Sequence, residues 1–164
     1  REQATIIAEA EQRSPVGSTF LSHSSKDTDL LPGVISLLER HGATVYIDKK
    51  DEALPIVTSR DTAAILRGRI RDCRKFILLT TPHSKDSSWM PWELGLSYGT
   101  KSSSRTAILP SPDRAYERRW AEQEYLGVYN RIGYGDLQGE PSPVFMVWDQ
   151  ERNEATELSA LLAN

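Results

Sequence analysis

Short apolar runs alternate with amphipathic helical patterns over the first two thirds of the chain. Between residues 27 and 40 apolar side chains recur at helical spacing and His41-Gly42 follows as a terminator, which predicts a helix. The same spacing predicts helices over residues 61–73 and from about 88 to 99. The apolar runs between the helices predict strands over residues 19–22, 44–47, 75–80 and 105–109. Because strands joined through single helices pair in parallel, the pattern predicts an α/β fold with helices on both faces of a parallel sheet.

The two ends of the chain differ from this alternating part. Residues 2–12 favour helix and stop at a Ser-Pro-Val-Gly breaker, so residues 1–17 are predicted to be an N-terminal helix and linker. Residues 18–164 are the predicted domain, with a C-terminal extension from about residue 111. The weaker pattern of this extension predicts a polar helix over 115–125, strands over 128–134 and 144–148, and a last helix over 157–163.

Composition narrows the classes of function. A net charge of −3 leaves no excess of positive charge for a nucleic-acid backbone, so direct binding of nucleic acid is not expected. The apolar run at residues 76–79 is far too short to cross a bilayer, and no contact with a membrane is expected. The single cysteine, Cys73, fits a reducing compartment, which favours a cytoplasmic location, and its place on an apolar helix face predicts a core residue. Because the chain begins at Arg1, further domains of a longer protein are candidate partners.

Open parallel sheets bind ligands where the strands end, in the loops that follow their carboxyl ends. The third such loop runs into a predicted helix in which Trp89 and Glu93 lie one turn apart, near the positive end of the helix dipole. A carboxylate beside an aromatic ring suits a ribose joined to a base, and it would stabilise the positive charge that develops as an N-glycosidic bond breaks. Spacing alone also fits a dipole partner and a packing tryptophan. Neither His23 nor His83 has a further ligand at metal spacing, so no metal site is expected.

Three stretches resemble the Toll/interleukin-1 receptor (TIR) family, particularly its bacterial members. Residues 19–27 (TFLSHSSKD) resemble the family's first strand and loop, and residues 45–48 (VYID) resemble its second strand. Ser87-x-Trp89-x-x-x-Glu93-Leu94 is similar to the third-helix motif, whose glutamate enzymatic members require to cleave NAD⁺. The resemblance implies a flavodoxin-like, five-stranded parallel sheet with helices on both faces. The loop after residue 48 lacks the family's frequent Pro-Gly turn, and the region after residue 110 is longer than the usual ending.

The resemblance also implies an activity and a site. It implies an NAD⁺ glycohydrolase or cyclase that releases nicotinamide together with ADP-ribose or a cyclic isomer. In bacterial members this activity commonly serves defence against phage. NAD⁺ is then the substrate, no cofactor is expected, and self-association through like domains is expected because two chains complete one site. Glu93 carries over as the catalytic residue and Trp89 as its stacking partner. The implied substrate-binding residues of the first and second loops are Ser22, His23, Ser24, Ser25, Asp48, Lys49 and Leu54.

Two other functions stay open on the sequence. One is a non-enzymatic interaction module, as in the family's adaptor proteins, which often lack the glutamate that this chain has at position 93. The other is an enzyme like the nucleoside deoxyribosyltransferases, which share a related sheet and use a glutamate on an N-glycosidic bond. Turnover of NAD⁺, of a deoxynucleoside or of neither distinguishes the three.

Overall fold

The structure is a computed structural model, and it describes residues 2–49, 60–84, 87, 89–111 and 127–163. The α-helices of this part are α1 (Glu2–Gln12), α2 (Leu31–Arg40), α3 (Arg60–Asp72), α4 (Trp89–Thr100) and α5 (Leu158–Leu162). The strands are β1 (Thr19–Ser22), β2 (Val45–Tyr46), β3 (Lys75–Thr80), β4 (Thr106–Pro110), β5 (Asn130–Gly135), β6 (Val144–Asp149) and β7 (Glu154–Glu157). Short 3₁₀ turns at Ser25–Asp27 and Ser103–Arg105 precede α2 and β4. No helix in these ranges is both long and apolar enough to cross a bilayer.

The strands form one seven-stranded sheet in the order β2-β1-β3-β4-β5-β6-β7. The first five strands pair in parallel, and β6 and β7 are added antiparallel. The predicted α/β fold with five parallel strands is therefore confirmed, and two further strands extend it. Short connections suffice for antiparallel neighbours, which is why no helix separates β5, β6 and β7. The prediction missed β7 because its sequence, Glu-Ala-Thr-Glu, has almost no apolar pattern.

Alternate residues of the central strands face opposite sides of the sheet. Leu21, Ile77 and Ala107 belong to a core on the side of α1, α2 and α5. Phe20 and Phe76 alternate with them and stack, with ring centroids 5.5 Å apart, in a second core on the side of α3 and α4. A strand that is buried on both faces needs apolar residues at successive positions, so these strands read as continuous apolar runs.

Both ends of the described chain are anchored to the same side of the sheet. In α1 the side chain of Ala10 is fully buried, and the backbone carbonyl of Ala10 accepts a hydrogen bond from the Ile47 amide at 3.3 Å. Arg13, just after α1, pairs with Glu39 of α2. At the other end, the buried Lys75 donates to a carbonyl of α5, and burial lowers the pKa of this lysine. Residues 2–12 thus pack into the body of the protein.

The helix predictions agree with the structure to within a few residues, with one difference at α2. The pattern places that helix over 27–40, whereas a 3₁₀ turn comes first and the α-helix begins at Leu31. Pro32 lies in the first helical turn, where its missing amide donor costs nothing. The polar helix predicted over 115–125 lies outside the described residues.

Cys73 is 2% exposed directly after α3, and burial raises the pKa of its thiol to about 12. Because the thiolate is the reactive form, the native thiol should react at least about 100-fold more slowly with a disulfide reagent near pH 8 than an ordinary cysteine does. The rate of labelling by Ellman's reagent measures this. Protein unfolded in guanidinium chloride is the control and should react fast; fast labelling of the native protein would contradict the prediction.

Candidate active site

Glu93 lies on the buried side of α4. The residues that α4 buries are Met90, Glu93, Leu94 and Ser97, which follow the three-to-four spacing of a helix face packed on a core. Glu93 therefore stands where this pattern calls for an apolar residue, and it is only 1% exposed. Burying a carboxylate costs free energy unless hydrogen bonds compensate for the lost water. The arrangement around Glu93 must supply such bonds.

Ser22 supplies one of them. It is the last residue of β1, and it shares the sheet side of Phe20, on which α4 packs. Its hydroxyl is fully buried and donates a hydrogen bond to Oε2 of Glu93. A second polar contact, 2.9 Å between the hydroxyls of Ser97 and Thr106, holds the same helix face to the sheet one turn further along. The structure thus joins two of the predicted site residues, Ser22 and Glu93, at the carboxyl end of β1.

Trp89 begins α4, one turn before Glu93 on the same helix face. The indole is half-buried and packs against the core on the α3 and α4 side. Its ring meets the ring of Trp92 edge to face, with centroids 5.3 Å apart and an interplanar angle of 80°. The neighbouring ring and the core fix the orientation of the indole, and Trp89 stands at the first residue of α4.

The first-loop residues predicted to bind substrate differ in exposure. His23 and Ser24 are 6% and 7% exposed, whereas Ser25 is exposed. The Ser24 hydroxyl accepts a hydrogen bond from the Lys26 amide at 3.3 Å and caps the 3₁₀ turn, and His23 Nδ1 lies 3.4 Å from the Leu21 carbonyl. Ser24 and His23 therefore shape the loop from within.

Asp48 ties the end of β2 to α3. Its Oδ1 accepts a hydrogen bond from the Tyr46 hydroxyl at 2.9 Å and pairs with the guanidinium of Arg69. Burial, and then the negative charge of Asp48, raise the pKa of Tyr46 above its ordinary value. Lys49, the next predicted residue, is exposed, and Leu54 lies outside the described residues.

Sequence reasoning did not single out a cluster at the ends of β1 and β3. The carboxylate of Asp27 is buried, and its Oδ2 accepts a hydrogen bond from the Thr81 hydroxyl at 2.6 Å. Nδ1 of His83 lies 3.7 Å from Oδ1 of the same carboxylate. The topology rule places both loops at one edge of the sheet, but the sequence does not show which side chains meet across them.

Two open cavities are bounded by described residues, and Glu93 lines neither. A groove of about 520 Å³ on β5 and β6 has Arg131, Met146 and Trp148 among its lining residues. A smaller one of about 170 Å³ lies at the amino ends of β1 and β3, beside Thr19 and Lys75. Within the described ranges, His, Cys, Asp and Glu side chains form no group of three or more suited to a metal ion.

Comparison with known proteins now identifies the class of protein. A family model described as TIR domain matches residues 19–142, which include β1, α4 and both members of the Ser22–Glu93 contact. The chain belongs to the TIR domain family, as its sequence motifs indicate.

Two relatives belong to bacteria. The chain is 35% identical over 127 residues to a protein of Bacillus cereus (strain MSX-D12) named probable 3′ cyclic ADP-D-ribose synthase; the match covers 76% of this chain and 65% of that protein. It is 27% identical over 89 residues to a protein of Cytobacillus dafuensis named putative cyclic ADP-D-ribose synthase. That match covers 52% of this chain and 24% of the other protein. The chain thus spans less than two thirds of the length of these relatives.

The Ser22–Glu93 contact predicts how the free energy of unfolding changes when one or both of its residues are replaced. Ser22→Ala should lower the free energy of unfolding by about 1–3 kcal/mol, because it removes a donor from a buried carboxylate. Adding Glu93→Leu removes the carboxylate as well, and the double variant should unfold at a free energy equal to or above that of the native protein. Urea unfolding followed by tryptophan fluorescence measures these free energies.

The neutral hydroxyl pair on the same helix face is the control. Ser97→Ala combined with Thr106→Val should change the free energy of unfolding by less than about 1 kcal/mol, since both partners are removed together. A Ser22→Ala, Glu93→Leu protein that is less stable than Ser22→Ala alone would show that Glu93 stabilises the fold.

Proposed function

We propose that this chain cleaves the bond between nicotinamide and ribose in NAD⁺, with Glu93 as the catalytic carboxylate. The observation that carries the proposal is a carboxylate held by Ser22 in a helix position that packing alone would fill with an apolar residue. Residues that break a local rule in this way are concentrated at functional sites. The two bacterial relatives named as cyclic ADP-D-ribose synthases support the same chemistry.

The proposed role of Glu93 is electrostatic. As the glycosidic bond breaks, its electron pair leaves with nicotinamide, which departs as a neutral molecule, and the ribose takes on oxocarbenium character. A carboxylate set beside the anomeric carbon stabilises that positive charge. Since Ser22 already holds Oε2, the orientation of the carboxyl group is set before substrate arrives, and little reorganisation remains for the reaction itself.

The remaining site residues take supporting roles in the proposal. The half-buried indole of Trp89 stacks on the substrate near the bond that breaks. The exposed side chains of Ser25 and Lys49 contact the substrate directly, whereas Ser24 and Asp48 act mainly by fixing their loops. His23 and Leu54 keep the substrate-binding roles that the family resemblance implies. From the family resemblance we also propose that like domains self-associate and that the activity serves defence against phage.

Release of nicotinamide tests the function directly. Concentrated protein incubated with NAD⁺ should release nicotinamide, and Glu93→Gln should lower the rate at least about 100-fold because it removes the charge and keeps the shape. Chromatography of the reaction mixture measures the product. The control is Glu9→Gln on the exposed side of α1, which should keep the native rate. Equal, minimal release by native and Glu93→Gln protein would contradict the proposal, and turnover of a deoxynucleoside instead would favour the transferase alternative.

The relatives' names favour a cyclised product. We therefore expect mass spectrometry of the native reaction to show a species lighter than ADP-ribose by one water, because an internal hydroxyl rather than solvent attacks the ribose. Purified ADP-ribose incubated with the protein is the control and should stay unchanged, since it lacks the nicotinamide leaving group. ADP-ribose as the sole product would leave the cleavage intact and exclude the cyclase activity.

A further inference from the structure

The proposed reaction releases one proton, which a group beside the substrate must accept. Nicotinamide leaves without taking a proton, but the hydroxyl that attacks the ribose, whether from water or from the substrate, must lose one. A side chain with a pKa near neutrality accepts such a proton best, and histidine is the residue whose ordinary pKa lies there. At the carboxyl edge of the described sheet the histidines are His23 and His83.

Of these two, His83 has the geometry of a proton acceptor. Its Nδ1 is buried and faces the carboxylate of Asp27 at 3.7 Å, while the side chain as a whole is 45% exposed. Asp27 favours the tautomer that carries its proton on Nδ1, which leaves the lone pair of Nε2 on the outer side of the ring. His23 is only 6% exposed, with its Nδ1 turned to a backbone carbonyl.

Asp27 is itself held in place. The Thr81 hydroxyl donates to Asp27 Oδ2 at 2.6 Å and also accepts the His83 amide at 3.1 Å, so one hydroxyl fixes both members of the pair. The loop carries a further bond, 2.8 Å from the Thr81 amide to the Ser84 hydroxyl. The imidazole therefore lies 3.7 Å from a buried carboxylate whose own position is fixed by Thr81.

The strand register places this pair at the same edge of the sheet as Glu93. Ser22, which contacts Glu93, is paired with Leu78 on the adjacent strand β3. Thr81 follows Leu78 by three residues, a separation of roughly 10 Å along the strand. The proposal places the ribose and its attacking hydroxyl in the space between these two positions.

We propose that His83, oriented by Asp27, accepts the proton of the attacking hydroxyl on Nε2. This inference rests on the proposed function. In the step, the O–H bond breaks as a bond forms between that oxygen and the anomeric carbon, and the proton passes from the resulting imidazolium to solvent. Glu93 stabilises the charge before the attack, and His83 acts on the nucleophile.

Exchange of labelled nicotinamide into NAD⁺ separates the two roles. In exchange, the glycosidic bond breaks and the ring nitrogen of a labelled nicotinamide then attacks the ribose; this nitrogen has no proton to lose. Formation of net product instead requires the attacking hydroxyl to lose its proton. His83→Gln should therefore slow net product at least about 30-fold while exchange changes by less than about threefold, so the ratio of exchange to product rises at least about tenfold. Glu93→Gln should lose both reactions.

The matched control is the same substitution at the other end of the strands. His41 caps the carboxyl end of α2, and His41→Gln should leave the ratio of exchange to product at its native value. A native ratio in His83→Gln overturns the inference, whether both reactions stay fast or fall together. If the native protein neither exchanges nicotinamide nor releases it, the proposed function itself is wrong. That result is obtained before any His83 variant is measured.

Discussion

A carboxyl group buried between helix α4 and the sheet is the centre of this protein's candidate site. Glu93 lies in the core side of α4, and the hydroxyl of Ser22 meets it from the end of β1. The contact links Ser22, where the loop after β1 begins, to helix α4, which follows the loop after β3. Ser22 and Glu93 are 71 positions apart in the chain. A carboxylate in that place gains little from packing and is costly if its bonds are lost, so sheet and helix have to stay in register.

The periodicity of the chain was sufficient to predict the parallel part of the fold. Strands such as β1 and β3 are buried on both faces, and their apolar residues run without interruption, so their bounds follow from sequence alone. The outer strands are harder to predict from the sequence. In β7 only Ala155 interrupts polar side chains, and the strand exists because β6 offers it an edge for backbone hydrogen bonds. Backbone pairing of that kind leaves no mark on a side-chain pattern.

The candidate site was predictable in its positions and much less so in its contacts. Motif and topology placed Glu93, Trp89 and the first loop at one edge of the sheet. They did not show that Asp48 is engaged by Arg69 and Tyr46, because those partners come from α3 and β2 and meet only in the folded chain. The pairing of Asp27 with His83 escaped notice for the same reason. Contacts between loops depend on how each loop turns, which residue spacing does not encode.

The sidedness of the layers bears on how this protein can be handled and joined to other things. Helices α1 and α5 both pack on the side of the sheet opposite α4. A bead, a fluorescent label or a fused carrier attached through either helix would be joined to the side of the sheet opposite α4. Many copies could then be displayed on a surface at controlled density, with the α4 side of each turned outward.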